Sequence, residues 1–309
     1  MRQLRLVAAA AVLLAAALLA QAQPPAYPPG ELDRLVAPIA LYPDSLVAQI
    51  LAAATFPDQI PDAARWADEH HYLVGEDLAE AIEGDRLPWD PSLQALLPFP
   101  SVLEMMASDP GWTGELGNAF LAQQPEVMDA VQRERRRAYN YGYLRTNPQV
   151  IVNYGPYIEI VPARPGMIYV PYYDPLVVYA APRPGFFVGG AIRFNFGIAV
   201  GAAFRPWGWG ANRVVWNTRT VIVNDAPWRR TWVNRQTYVH PYTVQHYAPQ
   251  RRVEDHELHD RTPREREAYH TGRERVEDHP RGRDDNRGRG DDRGRGDDRG
   301  RGDDRGRRR

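Results

Sequence analysis

The sequence predicts an α+β protein: an N-terminal all-α bundle of short helices, then a small antiparallel β meander, then a disordered C-terminal tail. Three observations carry that expectation. Over residues 31–141 apolar side chains recur at helical spacing between Pro, Gly and Asp boundaries. From residue 142 the pattern shortens to β-branched and aromatic runs separated by turn residues. Beyond residue 249 apolar residues nearly vanish, and from Arg287 the chain repeats RGRGDD.

The first 22 residues read as a signal peptide. Arg2 and Arg5 precede an Ala/Leu/Val run from Leu6 to Leu19, and Ala20-Gln21-Ala22 has the form of a cleavage site. The run is shorter than the ~20 residues that span a bilayer. The expectation is an exported protein, periplasmic or associated with the cell envelope.

Residues 31–141 are expected to form the helical domain. Leu32, Leu35, Val36 and Ile39 form one apolar stripe, interrupted by Pro38 and Pro43. Leu46, Val47, Ile50, Leu51 and Ala54 form the next, which predicts an amphipathic helix with Ser45, Gln49, Ala52 and Ala53 on its other side. Pro43 suits a first turn, and Asp44 suits the positive end of the helix dipole. Further helices follow from Pro57/Pro61 to His70, between Gly75 and Gly84, after Asp90-Pro91-Ser92, from Ser101, after Asp109-Pro110-Gly111, and from Pro125 into the charged run Arg133–Arg137. Trp66, Trp89, Phe99, Trp112 and Phe120 are expected in the core.

Residues 142–181 are expected to be a small β region packed on the helices, with strands at Val150–Val152, Tyr157–Val161, Met167–Val170 and Leu176–Tyr179. Residues 182–248 form a Gly/Arg/aromatic segment of short strands. Alternation of Phe194, Phe196, Ile198 and Val200 predicts one of them. Residues 249–309 are expected to be disordered, since they cannot bury enough surface to offset ordering entropy.

Several stretches together resemble the bacterial family catalogued as domain of unknown function 3300. They are Leu32–Ile50 (LDRLVAPIALYPDSLVAQI), Ala63-Ala64-Arg65-Trp66, Trp89-Asp90-Pro91-Ser92, Phe99-Pro100-Ser101-Val102-Leu103, Leu116–Arg133, Pro162-Ala163-Arg164-Pro165 and Tyr169-Val170-Pro171-Tyr172-Tyr173-Asp174-Pro175. The resemblance runs from Leu32 to Tyr179. It implies export and this architecture, and it supplies no catalytic residues.

Net charge is −1, but it is unevenly spread. Residues 31–141 hold seven Arg and nineteen acids, whereas residues 142–248 hold ten Arg and three acids. Such asymmetry points to interaction. The candidate binding residues are Arg205, Trp207, Trp209, Arg213, Trp216, Trp228, Arg229, Arg230 and Trp232. Arg supplies charge and forked donors while Trp stacks, a combination suited to an anionic polymer. The partners expected are an anionic envelope polymer or an envelope protein. Peripheral membrane contact and oligomeric state stay open, and no specific nucleic acid is expected because each RGRGDD repeat is near neutral. The alternative for 182–248 is a β-rich region with its Trp in the core and its Arg on the surface.

No cofactor or metal is expected. Cysteine is absent, and His70-His71 are adjacent rather than spaced to chelate on a helix. Nucleophile-elbow, P-loop, dinucleotide and zinc-protease motifs are missing from the sequence. The reading is a non-catalytic envelope protein that binds or scaffolds. Its alternative is an envelope glycan hydrolase using paired carboxylates, which requires an open cleft between two acids.

Overall fold

The computed structural model describes residues 23–182, 185 and 189–240, all within one compact unit, 1–248. The signal peptide expected over 1–22 and the tail expected over 249–309 lie outside the described residues.

The helices follow the punctuation of the sequence. They are α1 (Pro29–Val36), α2 (Asp44–Ala54), α3 (Ile60–Glu69), α4 (Gly75–Gly84), α5 (Pro91–Gln94), α6 (Pro100–Ser108), α7 (Pro110–Ala122) and α8 (Gln124–Asn140). Proline occupies the first turn of most of them, where the lost N–H has no helical partner. Asp90 and Asp109 cap α5 and α7 by accepting from the amides of Ser92 and Trp112. α1 packs on α8, α3 on α6, and α2 on α5 and α7. Phe99, Phe120 and Trp66 are buried, while Trp89 and Trp112 pack against the core from its margin.

The expected amphipathic character of α2 does not hold. Gln49, Ala52 and Ala53, assigned to its outer side, are as buried as Leu46 and Ile50. α2 is central because strands β7 (Arg213–Val215) and β8 (Thr220–Val223) close over the face left by the other helices. One hydrophobic core therefore runs from Leu32 to Trp228 and joins residues of the helical part with residues between Val200 and Trp228.

The β region differs from a simple meander. β1 (Val150–Tyr154) and β2 (Ile158–Pro162) form the expected hairpin, which packs with Leu41 and Ala138 of the helical part in a second core cluster. The expected fourth strand is instead α9 (Pro175–Val178), capped by Asp174 through the amide of Leu176. β3 (Met167–Ile168) and β4 (Pro171–Tyr172) pair forward with β6 (Ile198–Ala199) and β5 (Arg193–Phe194) rather than back with β2. β9 (Ala226–Pro227) completes a small sheet in the order β7-β8-β9.

The expected strand through Phe194–Val200 is broken by a bulge. Ile168 faces Ile198 and Pro171 faces Phe194, so Tyr169 and Val170 stand against three residues, 195 to 197, and the second strand carries one extra. Val170 N donates to the Asn195 side-chain oxygen, and Val170 O accepts from the Asn195 amide. A bulge bends its strand and re-aims a side chain. Here it turns Phe196 out to 96 % exposure, while a Cβ at position 197 would lie 2.7 Å from the Met167 and Tyr169 side chains. No helix among the described residues is long and apolar enough to cross a membrane.

Candidate binding site: an apolar groove beside a buried ionic core

The tryptophans proposed as stacking surfaces are structural. Trp207, Trp209, Trp216 and Trp228 are all buried. The indole nitrogens of the first three donate to Gln94 Oε1, Ala95 O and Asp44 Oδ2, at 2.9, 2.8 and 2.8 Å. They tie residues 207–216 to α5 and α2, and Trp209 also packs 5.0 Å from the Phe99 ring. A buried indole with its N–H bonded supplies much apolar contact and cannot stack on a polymer. Trp232 is half-buried under the Arg235 guanidinium at 3.8 Å.

The predicted arginines sit in different environments. Arg230 turns inward, donating to Thr55 O and Oγ1 and lying 3.7 Å over the Phe56 ring. Arg213 pairs with Asp225 at 3.0 Å. Arg205 and Arg229 are exposed. Of the nine predicted residues, the four buried tryptophans and the inward Arg230 therefore offer no open surface, while Arg205, Arg213 and Arg229 are exposed.

Residues that local reading missed form an ionic core. Arg135, placed by sequence in a charged run, is fully buried. Its Nη1 meets Asp44 Oδ1 at 2.5 Å. It also donates to the carbonyls of Ala40, Tyr42 and Ile158 and stacks on Trp216. Asp44 additionally accepts from the Ile160 amide and the Trp216 indole. What sequence assigns to a helix dipole is thus an interior ion pair, and its partners are too distant in the chain for spacing to reveal. Gln49 plays a parallel part, donating to Ser92 O and accepting from Asn212.

The turn from Ala37 to Tyr42 depends on such distant donors. Tyr173 and Tyr179 hydroxyls both donate to Ala37 O at 2.9 Å, and Trp112 Nε1 caps Leu35 O. Burial pushes both phenols well above their usual range, so they remain protonated donors. The two most distinctive motifs, around Leu41-Tyr42-Pro43 and Tyr172-Tyr173-Asp174, meet here.

A charged recess of about 400 Å³ lies beside α1, α8 and α9 and includes Asp33, Arg34, Glu134, Arg137 and Tyr179. Arg133 and Arg137 hold Asp33 at 2.6 and 3.7 Å, and Arg137 holds Glu134 at 2.7 Å. The other Glu134 oxygen is buried without a hydrogen-bond partner. Burial pushes this carboxyl up to about 6, and Asp33 adds to the rise against the pull of Arg137 and Arg133. The folded chain therefore keeps a proton that the unfolded chain releases near 4.5. That contribution to stability is complete below the unfolded value and is lost as pH rises toward 6. Glu134→Gln keeps the bond to Arg137 and removes the penalty. It should raise stability at pH 7.5 by on the order of 1 kcal/mol and give no gain at pH 4.5, as urea unfolding at the two pH values will read.

The other notable recess is apolar. A groove of about 460 Å³ runs between the α3–α4 connection, the start of α6 and the bulged strand, lined by Val74, Leu78, Leu97, Phe196, Ile198 and Phe204. Its volume lies within the range of small-ligand and anchor-residue pockets. Val74, at the cap of α4, is 73 % exposed and neighbouring Tyr72 69 %. Gly75 starts α4 with φ +60°, a turn that favours glycine. His70 at the groove edge stacks on Trp66 at 4.0 Å, with Nδ1 2.8 Å from Trp66 O. Among the described residues no three His, Cys, Asp or Glu gather to hold a metal.

Fold and recesses together define an α+β module, a short-helix bundle capped by tryptophan-anchored strands. The chain belongs to the family described as "Protein of unknown function (DUF3300)", matched over residues 28–246. The match extends well past Tyr179, where the resemblance read from motifs stops, in keeping with a core that needs residues 203–228. The chain is 33 % identical over 187 residues to "Uncharacterized protein YacH" of Escherichia coli (strain K12), covering 50 % of this chain and 30 % of that protein. No solved structure matches.

Proposed function

We propose that this is an exported, non-catalytic protein of the cell envelope that holds a segment of another envelope protein in the apolar groove. The observation that carries this reading is the groove itself, with Phe196 and Val74 exposed on its rim. A protein segment is favoured over an anionic polymer because the tryptophans that would stack on one lie in the core. Export is supported by the leader-like residues 1–22.

Two measurements test the proposal. Fractionation of cells expressing the full chain should place it outside the cytoplasm. Nile red should brighten on the purified protein, and the exposed-site pair Val74→Ser/Phe196→Ser should abolish most of that signal with unchanged thermal unfolding. A cytosolic chain, or a signal indifferent to the pair, would count against the reading.

A glycan hydrolase with paired carboxylates would draw on Asp33 and Glu134. Arginines engage both, and the free Glu134 oxygen is closed to solvent. Turnover of purified peptidoglycan that disappears in Glu134→Gln would favour this second reading over binding.

A further inference from the structure

We infer that the groove takes a cationic segment, a short stretch of apolar side chains flanked by arginine or lysine. This rests on the binding reading above and adds the charge of the partner.

The first observation is the distribution of charge around the groove. The α3–α4 connection supplies one wall, and residues 68–85 contain seven acids and no arginine. Asp68, Glu69, Glu76, Asp77 and Glu80 are exposed. Asp68 and Glu69 immediately precede groove residue His70, and Glu76 and Asp77 lie between groove residues Gly75 and Leu78. The opposite wall carries Arg205 beside Phe204. The groove lining itself holds no carboxylate, so the charge lies on the exposed surface of the two helices beside it, where these acids outnumber the exposed Arg65 and Arg86. An apolar floor beside a mainly acidic surface favours a ligand whose hydrophobic face ends in positive charge, and it disfavours an acidic one by like-charge repulsion.

The second observation is the bulge. It places Phe196 outside the sheet at the groove edge instead of in the core that a regular alternation would give it. Tyr72 and Val74 present further apolar surface on or beside the other wall. Large apolar groups at a polar rim mark an interaction surface, and aromatic residues commonly carry the binding energy there.

The test uses the purified full chain and three fluorescein-labelled peptides. One has a Leu-Phe-Val-Leu centre with two arginines at each end. The second has the same centre with glutamates, and the third has the arginines around a Gly/Ser centre. The first peptide should bind at least tenfold more tightly than either of the others and weaken as salt rises. Val74→Ser/Phe196→Ser and the neutralised variant Asp68→Asn/Glu69→Gln/Asp77→Asn should each weaken it tenfold or more, with circular dichroism unchanged. If the glutamate peptide binds equally well and the Val74/Phe196 pair weakens both, the charge inference is overturned while the groove reading stands. Binding of the first peptide that the Val74/Phe196 pair leaves unchanged overturns the inference by placing the contact elsewhere. If none of the peptides binds and Nile red is also indifferent to that pair, both readings are overturned.

Discussion

Arg135→Met is expected to cost roughly 3–5 kcal/mol, the range for breaking a buried ion pair by removing one partner. Such a loss is a large part of the ~5–15 kcal/mol that holds a domain folded. Removal leaves Asp44 charged in the interior and strips donors from the carbonyls of Ala40, Tyr42 and Ile158. Lysine should rescue little, because one ammonium cannot reproduce a fork that reaches four acceptors. Adding Asp44→Leu should recover part of the loss by removing the stranded charge. It cannot recover all of it, since the three carbonyls remain without Arg135 and the Ile160 amide and Trp216 indole lose Asp44. Urea unfolding followed by fluorescence is a direct measurement, because Trp216 donates to Asp44. A change under about 1 kcal/mol in Arg135→Met would show that the ionic core is not structural.

The second large effect is expected at Gly117. A Cβ there would lie 2.0 Å from Ala54 O and 2.6 Å from Ala54 C, both backbone atoms at the end of α2. Alanine in place of glycine within a helix ordinarily gains ~1 kcal/mol. The clash must exceed that gain, because backbone at 2.0 Å cannot yield as a flexible side chain can. Gly117→Ala should therefore lower stability by about 1–3 kcal/mol net, through the displacement of α7 from α2. Gly114 lies on the same helix with nothing within 4 Å of its Cβ position. Gly114→Ala should stabilise by up to ~1 kcal/mol. Opposite signs at two glycines three residues apart separate close approach from propensity, and thermal unfolding of both variants reads the difference.

Much of the helical part is legible because its signals are local. Proline at first turns, Asp90 and Asp109 as caps and Gly75 at the start of α4 all act within one turn. The β1–β2 hairpin is readable for the same reason. The pairing of β3 and β4 with β6 and β5 is not, because those strands are two residues long and their partners lie across an intervening helix. The bulge at Phe196-Gly197 is hidden as well, since its residues keep the alternation of a regular strand.

The candidate site divides in the same way. The sequence shows the Arg and Trp residues of 205–232 as a coherent pattern, yet the fold buries most of the tryptophans, turns Arg230 inward and pairs Arg213 with Asp225. Tryptophan is equally suited to a core and to a surface, so its placement depends on what the rest of the chain leaves uncovered. α2 supplies the missing surface: its second face is apolar enough to require a cover, and β7, β8 and Trp216 provide it.

By itself, then, the sequence determined the helix boundaries, the charge asymmetry and the absence of recognised catalytic motifs, because each is written in adjacent residues. Tertiary structure alone decided that α2 is central, that Asp44 belongs to Arg135, and that Phe196 and Val74 stand on the rim of one groove. Those outcomes depend on which distant surfaces exclude water together, and burial of that kind has no fixed spacing along a chain.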